Sequence, residues 1–240
     1  MESLASAPPI KKQDPSNESS ALTRLGLLDA AERLFAENGI DGTSVRDITK
    51  AAQANLSAVS YHFGSKEGLM QAVFFRRLGP LNDRRLTRLA AATQRAGNAT
   101  PALDEILDAL IRPTVEELYS GESAKYFLRL MGRCFQEPNP KVEAFLVDVF
   151  AETVSIFNEQ FLLALPDMPR DELFWRTSFM YGTLHHALDT WSRFESCPFS
   201  NMPGMPPSIK LDGEQLIHWL VSYSAAGMRS VFRRPGTPLS

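Results

Sequence analysis

An all-helical chain in two parts is what this sequence predicts, and three observations carry it. Apolar residues recur at three- and four-residue spacing through most segments, the signature of helices with one buried face. No segment sustains the alternation of a strand, and no Gly-rich phosphate loop or internal repeat is present. The charge is divided along the chain. Between Ser20 and Arg95, eleven Lys/Arg stand against seven Asp/Glu; from Ala96 onward, twelve stand against eighteen. A basic first third joined to an acidic remainder suggests two parts with different partners.

The elements follow in order. The first twenty residues, MESLASAPPIKKQDPSNESS, are Ser/Pro/Asn-rich and read as a disordered tail without the apolar segment of a secretory signal. Ala21 to Asn38 places Leu25, Leu28, Ala31, Leu34 and Phe35 on one helical face, and Gly39 can close the helix. Thr43 or Ser44 can cap a second helix, with Ser44 and Asp47 in a capping-box spacing. Its inner face is Val45, Ile48, Ala51 and Ala52. After Gln53-Ala54, Asn55 is a favoured cap for a short third helix with Leu56, Val59 and Phe63 inward. Gly64 breaks that helix, and Ser65 caps a long fourth one from Lys66 to about Ala92, with Gly79-Pro80 inside it. Further helices are expected over Pro101–Leu118, Ser123–Phe135, Lys141–Leu165, Arg170–Phe194 and from Asp212 to about Phe232. The four prolines and one glycine between Ser196 and Leu211 predict a loop. The total is about nine helices.

Composition sets limits. Of the 240 residues, 44% are hydrophobic and 22% charged, ordinary proportions for a chain with a sizeable core. No run of eighteen apolar residues is present, so no membrane-spanning helix is expected. Cys134 and Cys197 form neither a metal-ligand spacing nor a disulfide framework, which fits a reducing, cytoplasmic setting. No cofactor is expected.

Three helices in about forty residues, the second and third joined by a tight turn, describe a helix-turn-helix. In that arrangement the last helix lies in the DNA major groove while its partner crosses the backbone. The third helix suits this placement. Asn55, Ser57, Ala58, Ser60, Tyr61 and His62 remain for its outer face. Small side chains permit close approach, and Asn or Ser can read base edges. Tyr61 and His62 can donate to phosphates, which sets register without reading sequence. Lys66 and the first amides of the fourth helix form an anion site. Thr43, Ser44 and Arg46 do the same on the other side. From spacing alone, a compact three-helix subdomain with solvated faces explains the pattern equally well.

The stretch AAERLFAENGIDGTSVRDITKAAQANLSAVSYHFGSKEGL resembles the N-terminal module of the TetR family of bacterial transcriptional regulators. The likeness rests on Ala30-Ala31, Leu34-Phe35, Gly39, Thr43, Val45 to Ile48, Ala52, Tyr61-His62-Phe63, Lys66-Glu67 and Leu69, and covers roughly residues 22–72. The turn departs from the family's usual Ala-Gly-Val, reading Ala52-Gln53-Ala54. Ser60 stands where the family commonly has tyrosine. The run from Ser60 to Lys66 is similar to a subgroup that includes regulators responding to fatty acids or acyl-CoA.

This resemblance implies a DNA-binding domain at residues 21–66 and an effector-binding and dimerisation domain at residues 67–240. It implies a homodimer on a palindromic double-stranded operator, usually as a repressor, released by a small effector. The fourth helix would be the lever joining the two. Dimer-face candidates at helical spacing are Phe174, Ser178, Tyr181, Leu184, His185, Leu188 and Trp191 on one helix. On the last helix they are Leu216, Trp219, Leu220, Tyr223, Ala226 and Gly227. Pocket candidates for a hydrophobic effector are Phe127, Leu130, Met131, Phe135, Phe150, Phe157, Phe161, Phe179, Met180 and His186, because pockets are mostly apolar with few polar groups. Arg129, Arg133 and Arg176 could meet an anionic group, although each more simply faces solvent.

No enzyme is expected. His185-His186 is the one pair that suggests chemistry, but adjacent helical residues point about 100° apart and do not converge on one ion. The other function class that fits is an all-α small-molecule-binding or adaptor protein whose N-terminal module contacts protein.

Overall fold

The computed structural model describes residues 15–136, 139–193 and 212–230, and among these every regular element is a helix. In chain order they are α1 (Pro15–Asn38), α2 (Val45–Ala51), α3 (Ser57–Phe63), α4 (Lys66–Ala96), α5 (Leu103–Leu118), α6 (Glu122–Gln136), α7 (Pro140–Ala164), α8 (Arg170–Arg193) and α9 (Gly213–Arg229). The all-α class and the nine helices match the expectation. The loop expected over Ser196–Leu211 lies outside the described residues.

The chain forms two compact units, Met1–Ala72 and Val73–Ser240, dividing six residues later than the expected boundary. Helix starts also differ. The first helix begins at Pro15, so residues 15–20 are helical where a tail was expected. Pro15 needs no N–H at a first turn, and Glu18 favours the positive end of the helix dipole.

In the first unit α1 packs on α2 and α3. Leu27, Leu28, Ala31 and Phe35 are buried with Ile48, Val59 and Leu69. Leu25, expected inward, is half exposed, because the buried stripe of α1 runs through Leu27 instead. The phase of a helical stripe is set by what packs on it.

The second unit is organised around α5, which packs on α6, α7, α8 and α9. Ile106, Leu107, Leu110, Ile111 and Val115 are fully enclosed, together with Phe157 and Phe161 of α7. Arg176 on α8 straps α9 from within this unit. Its guanidinium donates to the carbonyls of Gly227 and Met228 at the end of α9 and of Ser230 just past it, while Glu172 supplies the counter-charge. Helix C-terminal carbonyls lack intrahelical partners and carry negative dipole, so a cation there satisfies both demands. The solvated role expected for Arg176 is therefore corrected: it is buried and structural.

Candidate nucleic-acid interface

The site begins with α2. Ser44 caps it by accepting from the Asp47 amide at 3.2 Å, and the Ser44 amide donates to the Asp47 carboxylate at 3.0 Å. The Ser44 hydroxyl also donates to that carboxylate at 2.5 Å. These bonds hold Asp47 below the usual carboxylate range. The capping box expected from Ser44 and Asp47 is present, and Ser44 and Arg46 are exposed beside it.

Thr43 does not join them. Only 1% exposed, it spends its hydroxyl on the carbonyls of Gly39 at 2.8 Å and Leu34 at 3.2 Å. It braces the end of α1 from inside, so its assignment to DNA is corrected.

The turn after α2 uses a left-handed residue, as the helix-turn-helix geometry demands, but that residue is Gln53, with φ 52°. Left-handed backbone is strained for a side chain with a Cβ. Two amide bonds hold it there, Gln53 to the Lys50 carbonyl and Ala54 to the Thr49 carbonyl at 2.9 Å.

Helix α3 then starts at Ser57, with Leu56 at the cap position and no side-chain cap bond. Asn55 acts through its backbone carbonyl, which accepts from the Ala58 amide at 2.9 Å, leaving its side chain exposed. Its expected capping role is thus corrected. Leu56 is also corrected: it is 53% exposed, and Val59 carries the buried side of α3. Arg24 of α1 lies over the Phe63 ring, 5.2 Å from its centroid, a cation–π contact that ties α1 to α3.

Ser65 caps α4 through the Gly68 amide at 3.0 Å. A Cβ at Gly68 would sit 2.0 Å from the Phe63 carbonyl oxygen, so only glycine lets α3 end so close to the next helix.

The outer face of α3 is polar and thin. Asn55, Ser57, Ser60 and Tyr61 are exposed, Tyr61 at 79%, while Ala58, His62 and Lys66 are partly covered. Tyr61 and His62 meet edge to face at 4.8 Å. An open cleft of about 410 Å³ joins Thr23, Gln53, Ala54, Asn55, Ser57 and Tyr61 with Ala58 and His62. Thr23, Gln53 and Ala54 were not among the expected contacts. A glutamine in the place of the usual turn glycine was the available signal for Gln53.

In the larger unit the expected sites sort by burial. Phe127, Leu130, Met131, Phe157, Phe161 and Met180 are buried, and Phe150 is partly so. Phe179 and His186 are exposed on α8, so their assignment to an internal pocket is corrected. Leu184, Leu188, Leu216 and Leu220 are buried within this unit, and Tyr181 packs against its core, so as dimer contacts they are corrected as well. The exposed stripe is instead Phe174, Trp175 and Phe179 on α8, with Trp219, Tyr223 and Ala226 on α9. The side chains of Phe135 and Trp191 lie outside the described residues. His185 and His186 diverge: His185 packs on Gly132, where a Cβ would come within 2.8 Å of its ring nitrogen, while His186 faces out. A second open cleft, of about 470 Å³, is lined by charged groups including Arg88, Arg112, Asp108 and Glu214, not by the aromatic candidates.

Comparison with known proteins agrees with this geometry. Residues 27–73 match the family of bacterial regulatory proteins named for tetR, and residues 108–227 match the tetracyclin repressor-like C-terminal domain. The transcriptional regulator AcrR of Shigella flexneri is 33% identical over 97 residues, covering 40% of this chain and 43% of that protein. The chain spans about a quarter to a half of the length of the curated relatives it matches. Among solved structures, the fatty acid degradation regulator FadR of Bacillus halodurans superposes with a TM-score of 0.61 at 17% identity, covering 91% of this chain and 99% of that one. FadR of Bacillus subtilis, in complex with stearoyl-CoA, gives 0.62 at 15% identity, covering 85% and 98%. With both domains matched and the three-helix unit formed as described, the chain belongs to the TetR family of bacterial transcriptional regulators.

Proposed function

We propose that this chain is a DNA-binding repressor that acts as a homodimer and leaves its operator when a small apolar compound enters the larger unit. The exposed polar face of α3, ending at a braced turn on one side and the α4 N-terminus on the other, is the observation that carries the reading. Ser57 and Asn55 face outward with short side chains suited to base edges. Ser44, Arg46, Tyr61 and Lys66 flank them with groups suited to phosphates.

The exposed aromatics of α8 and α9 support the dimer. Phe174, Trp175 and Phe179 adjoin one another on α8, and an exposed apolar cluster of this kind marks an interaction surface. Trp219 at 55% and Phe174 at 62% exposure are the anchors we assign to it. In a two-fold dimer, reading successive major grooves requires two copies of α3 about 34–36 Å apart, one helical turn of DNA. The effector can shift operator affinity only as far as it prefers one conformation over the other. Helix α4, whose residues belong to both units, is the element we assign to carry that preference. The relatives' role as regulators supports binding without catalysis.

Selection of bound sequences from a random DNA pool tests the reading. We expect a palindrome, with affinity that falls steeply with added salt. Lys66→Ala should weaken all sequences alike, whereas Ser57→Ala should change the preferred base, at about 1–3 kcal/mol per lost contact. A chain that enriches no sequence, or whose binding ignores salt, is not the regulator described.

A further inference from the structure

Two arginines of the larger unit are buried among the described residues, and they differ in one respect. Arg176 has Glu172 as its counter-charge. Arg85 of α4, 6% exposed, has no acid within ion-pair range among the described residues. Its Nε donates to the Leu110 carbonyl at 3.2 Å, Nη1 to Asn82 Oδ1 at 3.0 Å and Nη2 to Thr114 Oγ1 at 2.8 Å. Asn82 is itself oriented by donating its amide to the Val149 carbonyl at 3.2 Å. All of these partners are neutral. Acids are close at hand: Glu117 of α5 pairs with Arg77 and Arg84, and Glu116 with Arg88. The inward-facing arginine alone in that series receives none.

A guanidinium has five N–H donors. Three are used by the bonds just given, which leaves one N–H on each terminal nitrogen, donors that a carboxylate can accept. A buried cation without counter-charge is costly. Burial lowers the Arg85 pKa to about 10, so the group is still charged at neutral pH. Tyr181, the charge's aromatic neighbour, is packed against the same core. Pro113, between Leu110 and Thr114, withholds one backbone donor from the helix that Arg85 braces, so fewer bonds resist local opening there.

We propose that Arg85, oriented by Asn82 and Thr114 with Tyr181 beside it, is the anion-recognition point of the effector site, and that the effector is an apolar molecule bearing one carboxylate. This rests on the reading that the larger unit binds an apolar effector. The carboxylate completes the charge that the fold leaves open, and the surrounding aliphatic and aromatic core receives the apolar body.

Calorimetric titration of the full chain with decanoate and with decan-1-ol tests it. The wild type should bind decanoate at least tenfold more tightly than decanol. Arg85→Gln should lose that preference and keep decanol affinity within twofold, while Arg85→Lys should retain part of it. Circular dichroism checks that each variant folds. If Arg85→Gln does not fold, the wild type and Arg85→Lys decide the matter. A wild type that binds both ligands equally, prefers decanol or binds neither overturns the proposal, as does a folded Arg85→Gln that keeps the preference. Operator binding measured on the same samples separates the two ideas. Release by decanol but not decanoate sinks the Arg85 assignment and leaves the regulator intact. Failure to bind any DNA sinks the regulator, while the decanoate preference still decides on Arg85.

Discussion

Helix α3 and the outer faces of α8 and α9 are both left uncovered within their own units, yet they are built from opposite materials. At α3 and the two residues before it the exposed positions are Asn55, Leu56, Ser57, Ser60 and Tyr61, mostly short and polar; on α8 and α9 they are Phe174, Trp175, Phe179, Trp219 and Tyr223. Short polar side chains lose little by meeting water, so such a face persists until a hydrogen-bonding partner arrives. Large aromatic side chains gain most when water is excluded, by roughly 25 cal/mol for each Å² of apolar surface. The first face suits a reversible, salt-sensitive contact, and the second a lasting contact that excludes water. The difference teaches that exposure marks an interface, whereas composition says what kind.

Substitutions can break this contrast, and the largest effect should come from neither face. Phe157, fully buried beneath the second, should cost about 3–5 kcal/mol of stability as alanine, from lost burial and the cavity left behind. Urea unfolding checks this; a loss near zero would mean that the core is not where it has been placed. Trp219→Ala should leave the stability of the folded protomer within about 0.5 kcal/mol, because the residue is half exposed. It should nevertheless weaken dimerisation by about 2 kcal/mol, as expected for a central aromatic anchor. Sedimentation across concentration reads that, and an unchanged dimer would remove α9 from the interface.

Gln53→Gly sharpens the comparison on the DNA side. Relief of left-handed strain favours glycine by up to about 1–2 kcal/mol, and the added freedom of the unfolded chain takes back roughly half. A modest rise in midpoint is the expected outcome; a fall would show that the glutamine side chain makes a stabilising contact at the turn.

The smallest effect concerns His185. Its pKa is lowered, first by burial and also by His186, against the opposing pull of Asp189. The unfolded chain takes up this proton near pH 6.5, while the folded chain resists it. His185 therefore favours the fold fully above that pH, and its contribution is lost as pH falls. Melting temperatures between pH 8 and 5.5 should drop less for His185→Gln than for the wild type, and equal slopes would refute the assignment.

Much of the DNA-side geometry was legible because it is local. The Ser44 and Asp47 box, the left-handed Gly39 and Gly64, and the Ser65 cap each depend on residues within three or four positions. Thr43 was misjudged for a physical reason. A threonine beside a cap looks the same in sequence whether its hydroxyl faces solvent or reaches back nine residues to Leu34. Leu56 failed likewise, since α3 is too short for its apolar spacing to define a face.

The sequence by itself determined the helices, the Ser44 and Ser65 caps, the helix-turn-helix and the family, because capping and amphipathic period act over one or two turns. Only the tertiary structure decided which stripe of α8 and α9 turns inward. Both stripes are apolar, so Leu184 and Phe179 look interchangeable until α5 packs against one of them and leaves the other uncovered. It also set the two buried arginines apart from the exposed ones, because burial is decided by neighbours in space. Glu172 lies one turn from Arg176, whereas the acids of α5 that pass close to Arg85 go to its neighbours at the surface.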